Sequence, residues 1–412
     1  MNLEQLKGKT VMVAVSGGLD SCTITHWLTR HGIDVIAYTA DLGQPDEERI
    51  EDVRARMLAC GAHELILADL KAEVCQAGIQ LVQAQARYEG GYWNTTGIAR
   101  HVVVAGMVPE MRRRGIGIMG HGATGRGNDQ VRFQLATQML DPAIQVYAPW
   151  RDPAFLHLFP GRREMIEYCQ SHGLPIRASL DKPYSTDANI LGLTHEAGEL
   201  EDLATPARRI EPGMGVFPEQ APDQPERFTV RFEAGQPVAI NGRSVTAYQA
   251  LEQSNRIAGR HGVGIGLHTV ENRFVGIKSR GVYEAPGMEL LGQCYEYLLQ
   301  LVLDRRARRI FAPVSAYIAE QIYQGYWFDT ATQACRKLVD HFSGLATGTV
   351  VVSLYKGGIA FDQVVDVPHS LYREDAASME AVGEFDHQDS EGFLGVLGVS
   401  ARVLNTSGQV KL

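Results

Sequence analysis

Short apolar runs alternate with segments of helical period from the start of the chain to residue 172. The apolar runs predict β-strands within TVMVAV, DVIAYTA, HELILAD, GIGIMGH and AIQVYAPW. Between these strands, apolar residues at helical spacing predict helices at 47–60, 74–87, 100–114 and 162–172. Nearly continuous apolar strands that alternate with helices are typical of a doubly wound parallel sheet. We therefore predict an α/β domain whose ligands lie beyond the carboxyl ends of the strands.

The pattern changes after residue 174. A polar, proline-containing stretch at 174–226 predicts a long irregular connection. Beyond it, FTVRFEAGQPVAING and TGTVVVSLYKGGIAF predict antiparallel strands, whereas SVTAYQALEQSNRIAGRHG and GMELLGQCYEYLLQLVLDRRARRI each predict a helix. The second part is thus predicted to be α+β. The last segment, too short to bury a core alone, is predicted to pack on another subunit. The predicted domains are 1–173, 174–382 and 383–412.

Composition and charge narrow the possible partners. A formal net charge of −9 over 412 residues argues against a protein that binds nucleic acid through clustered Lys and Arg. Neither a signal-peptide pattern nor an apolar run long enough to cross a membrane occurs, so we expect no membrane partner. The cysteines form no CxxC or CxxH pair, and the histidines have no ligand spacing, so neither a zinc site nor a disulfide framework is expected. These features favour the reducing cytoplasm.

The first candidate site is SGGLDS, residues 16–21, at the end of the first predicted strand. Gly17 and Gly18 lack Cβ atoms, so successive backbone N–H groups can point into one concavity and meet phosphate oxygens. The dipole of the following helix adds positive potential. The stretch is neither a Walker loop nor a dinucleotide fingerprint, because GK[ST] and GxGxxG are both missing. Its plainer interpretation is a glycine turn with Ser16 as a helix N-cap.

A second cluster follows the strand GIGIMG. The stretch HGATGRGNDQVRF, residues 121–133, contains glycines, Thr124, Asn128, Asp129 and two arginines. A loop so rich in hydrogen-bonding groups is costly to bury without a ligand. We expect it at the same edge of the sheet as SGGLDS, although a solvated glycine turn is the plainer alternative.

These stretches, with others in order along the chain, resemble the argininosuccinate synthase family of the PP-loop ATP pyrophosphatase superfamily. The resemblance covers about residues 10–393 and rests on AVSGGLDS, YTADLGQ, YEGGYWNTTGIAR, HGATGRGNDQVRF, APWRD, KPYSTDAN, GRHGVG, VENRFVGIKSRGVYEAPG and DSEGF. It implies an ATP-binding domain, a synthetase domain and a C-terminal arm in a homotetramer. It also implies ATP-dependent ligation of citrulline to aspartate through a citrullyl-AMP intermediate, with AMP and pyrophosphate as products. Mg²⁺ is expected to screen the polyphosphate.

The resemblance also implies roles for individual residues. ATP would be bound by Ala14, Ser16, Gly17, Gly18, Leu19, Asp20, Ser21, Ala40 and Gly122. Aspartate would be bound by Thr124, Asn128 and Asp129. Citrulline would be bound by Tyr92, Thr96, Arg100, Asn128, Arg132, Ser185, Thr194, Glu271 and Tyr283. The catalytic set would be Ser16, Asp20, Asp129 and Arg132. Arginines suit carboxylates and acidic side chains suit ammonium groups, which agrees with these roles.

Several positions depart from the family pattern. The usual AYSGGLDTS has Val15, Ser21 and Cys22 here, so a hydroxyl is retained at Ser21. Where the family usually has GATGKGNDQVRFE, this chain has Arg126 in place of the lysine and Gln134 in place of the glutamate, so Arg126 retains the positive charge. The usual citrulline-binding serine of YxLGTSxARP falls on Gly97, which bears on the identity of the acceptor.

Three functions follow from these observations. The first is an argininosuccinate synthase. The second is a paralogue that adenylates a different ureido or amide acceptor before condensation with aspartate. The third is a nucleotide-binding oligomer without turnover. The acidic charge and the missing cysteine pairs disfavour a tRNA-modifying PP-loop enzyme.

Overall fold

The structure is a computed structural model. It describes residues 1–45, 50–176, 183–380, 383 and 386–410. The predicted helix at 47–60 falls partly outside the described residues, and its described part is helical from Glu51 to Ala59.

The first half contains the predicted parallel sheet. Its strands are β1 (Thr10–Ala14), β2 (Asp34–Asp41), β3 (Glu64–Asp69), β4 (Ile118–His121) and β5 (Gln145–Tyr147). The strand order is β3-β2-β1-β4-β5, and every neighbouring pair is parallel. Four of these strands lie within the apolar runs that predicted them, and β2 extends one residue beyond its run to Asp41. A strand buried on both faces is apolar along most of its length.

Helices cover both faces of this sheet. They are α1 (Leu19–Arg30), α2 (Glu51–Ala59), α3 (Lys71–Ala84), α4 (Thr95–Arg114), α5 (Asp129–Leu140), α6 (Pro153–Leu158) and α7 (Arg162–Ser171). Alternate residues of β1 belong to different cores: Val11 and Val13 pack with α1, α2 and α7, whereas Met12 packs with α3 and α4. The doubly wound α/β prediction is confirmed.

The second half is built on antiparallel sheets. Its strands are β6 (Ser185–Asn189), β7 (Gly192–Glu196), β8 (Glu226–Glu233), β9 (Gln236–Ile240), β10 (Arg243–Ser244), β11 (Ile265–Asn272), β12 (Lys278–Glu284), β13 (Gly348–Tyr355) and β14 (Gly358–Val365). One sheet has the order β10-β9-β8-β13-β14 and the other β11-β12-β7-β6. The predicted irregular connection at 174–226 is therefore wrong in part, because it contains the β6–β7 hairpin.

The remaining helices include one further correction. They are α8 (Ala247–Arg260), α9 (Pro286–Val302), α10 (Arg305–Gln324), α11 (Thr330–Ser343), α12 (Glu374–Ala377) and α13 (His387–Thr406). The single helix predicted over GMELLGQCYEYLLQLVLDRRARRI is two helices, α9 and α10. Asp304 begins the second one, because its side chain accepts a hydrogen bond from the Ala307 backbone N–H at 2.8 Å. Short 3₁₀ helices occur at Leu3–Leu6, Pro149–Arg151, Gly198–Glu201, Ala207–Arg209 and Pro218–Gln220.

The two halves share one hydrophobic core. Met12 and Tyr38 of the parallel sheet belong to the same buried cluster as Phe228, Tyr295 and Val350 of the second half. In the described part of the chain, no helix is long and apolar enough to cross a membrane. Strand β7 contacts α4, and the tip of the β11–β12 hairpin contacts the loop after β4, so the second half borders the edge of the parallel sheet where β1 and β4 end. We call the space between these elements the cleft.

Candidate active site

The loop after β1 makes a sharp turn at Gly17, whose φ is +78°. A left-handed backbone favours glycine, and a Cβ atom here would lie 3.0 Å from Val53 Cγ1. The Ser16 backbone N–H donates to Ser21 Oγ at 3.0 Å, which ties the loop to the first turn of α1. The residue that caps α1 is Gly18, and no side chain hydrogen bond caps the helix. The interpretation of Ser16 as the N-cap is therefore wrong, and the N-terminal amides of α1 remain suited to an anion.

Asp20 lies in the first turn of α1, beside the strand β4. The indole Nε1 of Trp150 donates to Asp20 Oδ1 at 3.0 Å. A Cβ atom on Gly122 would lie 3.5 Å from Asp20 Cβ, so the two predicted loops meet here. Burial raises the pKa of Asp20, although the Trp150 hydrogen bond opposes this shift. SGGLDS and the stretch after β4 thus share one edge of the sheet, as predicted.

The other two predicted ATP residues lie on adjacent strands. Ala14 ends β1 and is paired in register with Tyr38 of β2, and Ala40 lies two residues further along β2. The side chain of Gln44 donates through Nε2 to the Ala40 carbonyl at 2.9 Å. Ala40 is buried, and Ala14 is half-buried.

The glycine-rich loop between β4 and α5 is anchored at its two ends. His121 is buried and stacked on Phe133, with ring centroids 5.0 Å apart. Burial lowers the pKa of His121 to about 3, and its Nδ1 accepts from the Ala123 N–H at 3.2 Å, as a neutral imidazole does. Gln130 Nε2 donates to the Gly125 carbonyl. Between these anchors, Thr124 is exposed.

Two arginines and two aspartates form a charged network at the start of α5. Arg100 Nε lies 2.8 Å from Asp129 Oδ2, and Arg132 Nη1 lies 2.7 Å from Asp129 Oδ1. Arg100 Nη2 also donates to Asp187 of β6. Burial alone would raise the pKa of Asp129, but its attraction to Arg100 and Arg132 outweighs burial and lowers it to about 2. The network therefore keeps both arginines and Asp129 charged.

Two tyrosines and two threonines line the next part of the cleft. The Thr96 backbone N–H donates to Tyr92 Oη at 3.1 Å. The Thr96 and Thr194 hydroxyl oxygens are 3.0 Å apart, so a contact joins α4 to β7. Tyr92 and Tyr283 stack with their ring centroids 4.1 Å apart. Four of the predicted citrulline residues thus lie together.

Glu271 supplies a buried negative charge to the same region. Tyr323 Oη donates to Glu271 Oε2, whereas the buried Oε1 has no hydrogen-bond partner among the residues that the structure describes. Arg132 reaches the same tyrosine, because its Nε donates to the Tyr323 carbonyl at 3.0 Å and its guanidinium lies over the ring. Burial raises the pKa of Glu271, and Tyr323 and Arg132 partly oppose the shift. An unpartnered buried acceptor of this kind is suited to a ligand cation or donor.

Two further positions bear on the acceptor site: the predicted citrulline residue Ser185, and Gly97, where the family usually has a serine. Gly97 lies in α4, where a Cβ atom would be 3.4 Å from Arg132 Cζ, an ordinary contact. Ser185 begins β6 and is paired with Glu196 of β7. Ser185 is half-buried and Thr124 is exposed, and among the described residues neither side chain is hydrogen-bonded to the network around Asp129.

The tip of the β11–β12 hairpin reaches across to the glycine-rich loop. The Phe274 backbone N–H donates to Asn128 Oδ1 at 2.9 Å, and Arg273 Nη1 donates to the Arg126 carbonyl at 3.3 Å. An open cavity of about 410 Å³ lies beside this tip, between Glu89 and Glu320. The second half of the chain therefore closes one side of the site.

Two family models match this chain along most of its length. The family model "Arginosuccinate synthase N-terminal HUP domain" matches residues 10–175, and "Arginosuccinate synthase C-terminal domain" matches residues 184–404. The chain belongs to the argininosuccinate synthase family. The argininosuccinate synthase of Rhodopirellula baltica is 43% identical over 397 residues, which cover 96% of this chain and 98% of that protein. That of Lachnospira eligens is 39% identical, covering 95% of this chain and 96% of that protein. The chloroplastic argininosuccinate synthase of Arabidopsis thaliana is 37% identical, covering 96% of this chain and 79% of that protein.

In this member of the argininosuccinate synthase family, sequence reasoning missed some residues of the cleft. Asp187 and Trp150 lie in KPYSTDAN and APWRD, which carried the resemblance, so their motifs were a usable signal. Tyr323 is in α10, outside every motif, and nothing in the sequence pointed to it. Glu196 of β7 was also missed. Desolvation by the surrounding protein raises its pKa most, and the negative charges of Asp129 and its neighbouring carboxylates raise it further. Solvent reaches part of the Glu196 side chain, which weakens the effect of desolvation.

Proposed function

We propose that this chain is an argininosuccinate synthase, which joins citrulline to aspartate with cleavage of ATP to AMP and pyrophosphate. The observation that carries the proposal is the meeting of two polar loops at one edge of a parallel sheet, with Asp20 beside Gly122. A network of buried charges around Asp129 lies at the second of these loops. A nucleotide and an amino acid could therefore be held next to each other.

ATP is proposed to bind along the loop after β1. The amides at the start of α1 and the left-handed turn at Gly17 suit the polyphosphate. The proposed ATP residues are Ala14, Ser16, Gly17, Gly18, Leu19, Asp20, Ser21, Ala40 and Gly122. Mg²⁺ is proposed to accompany ATP, because this ion is usually held by one or two carboxylates together with substrate phosphates, and Asp20 offers such a carboxylate. When bound, the ion would screen the negative charge of the polyphosphate.

Citrulline is proposed to occupy the cleft between α4 and the β11–β12 hairpin. Arg100 and Arg132 suit its carboxylate, and the unpartnered Oε1 of Glu271 suits its ammonium group. The full proposed set is Tyr92, Thr96, Arg100, Asn128, Arg132, Ser185, Thr194, Glu271 and Tyr283. Aspartate is proposed to bind at Thr124, Asn128 and Asp129. The ureido oxygen would attack the α-phosphorus and displace pyrophosphate to give citrullyl-AMP. The aspartate amine would then attack the ureido carbon, displace AMP and lose a proton.

In this scheme the protein contributes chiefly by positioning its substrates. The proposed catalytic residues, Ser16, Asp20, Asp129 and Arg132, hold and orient charged groups, and no protein nucleophile takes part. Bringing two reactants together in a site of fixed charges can supply a large part of a rate enhancement.

The experiment is an assay of the purified protein with ATP, Mg²⁺, citrulline and aspartate. We expect AMP, pyrophosphate and argininosuccinate in equal amounts, identified by chromatography and mass spectrometry, and no AMP when either amino acid is left out. Release of ADP and phosphate would contradict the mechanism. Turnover with another ureido or amide acceptor but not with citrulline would show a paralogue, and ATP binding without any turnover would show a non-catalytic oligomer.

We also propose a cytoplasmic homotetramer with domains 1–173 and 174–382 and an arm at 383–412. The two family models, which meet between residues 175 and 184, support the domain division. Helix α13 supports the arm, because its apolar side chains are exposed, including Phe393 at 65% and Val396 at 74%. Exposed apolar surface of this kind is typical of an interface.

A further inference from the structure

Helix α2 packs against the back of the loop after β1. A Cβ atom on Gly17 would lie 3.0 Å from Val53 Cγ1 and 3.3 Å from Arg56 Cζ, both on α2. Val53 is fully buried, and Arg56 is only 9% exposed. The loop is therefore held between α2 on one side and the cleft on the other.

Arg56 holds one particular carbonyl group of this loop. Its Nη1 donates to the Gly17 carbonyl oxygen at 3.0 Å, and its Nε is 3.3 Å from the Asp52 carbonyl of its own helix. The thiol of Cys22, a weak donor, approaches the same Gly17 oxygen at 3.8 Å. A buried guanidinium is the strong donor at this position, because its hydrogen bond is charge-assisted.

The geometry of the peptide group gives this contact a consequence on the other side of the loop. A trans peptide is planar and carries its C=O and N–H on opposite edges. Because the Gly17 carbonyl is held towards α2, the N–H of Gly18 in the same peptide is directed away from α2. Gly18 is the N-cap of α1, so this N–H joins the amides that suit an anion.

We propose that Arg56 is a positioning residue for the phosphate-binding loop. It fixes the Gly17–Gly18 peptide in the orientation that presents its N–H to the polyphosphate, and it places a positive charge behind the loop. This inference rests on the proposed assignment of the loop to ATP. Arg56 contacts the loop through the Gly17 carbonyl, so its effect on ligand binding should be confined to the phosphate part of the ligand.

The test compares ligands that share only part of ATP. Arg56→Met removes the donor and the charge but retains an apolar stem, and Arg56→Lys retains the charge. The matched control is Arg54→Met on the same helix, since Arg54 is exposed and donates to the Leu65 carbonyl at 2.8 Å, away from the loop. Binding of ATP, inorganic pyrophosphate and AMP to each protein, with Mg²⁺ and without amino acids, is measured by calorimetry.

We expect Arg56→Met to weaken ATP and pyrophosphate by about tenfold or more, as for loss of one charge-assisted hydrogen bond, while AMP binding stays within about twofold. Arg56→Lys should recover part of the loss, and Arg54→Met should match the wild type. Unchanged pyrophosphate affinity in Arg56→Met, or an equal loss for AMP and pyrophosphate, would overturn the inference. If Arg56→Met fails to fold, Arg56→Lys decides, because full pyrophosphate affinity in a variant with altered donor geometry would contradict the role of the contact. Since no turnover is measured, failure of the ligase assay would leave this test intact.

Discussion

At the scale of single residues, Glu271 carries a charge that the protein alone does not balance. One of its carboxylate oxygens accepts a hydrogen bond from Tyr323, whereas Oε1 is buried with no hydrogen-bond partner in the described part of the chain. Burial raises the pKa of Glu271 above its ordinary value of 4.5. Without a ligand the folded protein therefore binds a proton at Glu271 more readily than the unfolded chain does.

This shift predicts how stability depends on pH in Glu271→Gln. In the wild type, the free energy of unfolding should fall as pH rises from 4.5 through the higher pKa of the folded state, because the buried carboxyl must ionise. The glutamine side chain does not ionise, so the variant does not lose free energy of unfolding in this way. Its stability relative to the wild type should therefore increase as pH rises above 4.5, as measured by urea unfolding without substrates. A relative stability that is constant or that falls over this range would contradict the prediction.

Gly97 carries a prediction about the acceptor. Its Cβ position has room, with Arg132 Cζ at 3.4 Å, and serine is more favourable than glycine inside a helix by roughly 0.5 kcal/mol. We expect Gly97→Ser to unfold at the same or a slightly higher temperature. Its KM for citrulline should fall, but by less than about tenfold, because one hydroxyl adds roughly 1 kcal/mol. Gly97→Ala separates the helix effect from the hydroxyl, and an equal fall in KM for both variants would refute the role of the hydroxyl.

At the scale of elements, the strands of the parallel sheet were predictable because burial on both faces makes them apolar throughout. The β6–β7 hairpin escaped prediction because STDAN and GLTHE are polar, and both strands lie beside a site that uses such groups. The break between α9 and α10 escaped because apolar residues continue through Leu303, and only the capping aspartate at position 304 marks the new helix. The hydrophobic pattern thus gave a wrong prediction where a residue serves the site or caps a helix and its polarity does not report burial.

The candidate site shows the same limit. The adjacency of the two loops followed from the rule that parallel strands end at one edge, so Asp20 and Gly122 could be placed together from sequence. The contact of Glu271 with Tyr323 joins residues 52 positions apart on a strand and a helix. No periodicity or motif encodes such a pairing, because it depends on where the fold places α10 relative to β11.

The glycine-rich loop gives a prediction for the aspartate site. Thr124 is exposed between the two anchored ends of the loop, so its removal should leave the fold unchanged. In Thr124→Ala we expect the KM for aspartate to rise several-fold, since one lost hydrogen bond costs roughly 1 kcal/mol. The KM for citrulline should stay unchanged in steady-state assays. Equal increases for both substrates would mean that the two amino acids share this hydroxyl.

At the scale of the whole molecule, α13 presents an apolar face to solvent. An aspartate at position 396 would place a charge in any interface that this face forms. We expect light scattering to give a tetramer for the wild type and a smaller species for Val396→Asp. Asn405→Asp adds the same charge nine residues further on, in the last turn of α13, and should leave the mass unchanged. A wild-type monomer, or an unchanged mass for Val396→Asp, would contradict the role of the arm.

The hydrophobic core shared by the two halves has a consequence for folding. Met12 and Tyr38 are covered by the same cluster that contains Phe228 and Tyr295, so separating the halves would expose apolar side chains on both. Neither half should then unfold cooperatively on its own, and on heating both halves should unfold together in a single transition. Divergence of this protein would therefore require matched changes on both sides of the junction, and a half exchanged from a relative would have to bring its own packing partners with it.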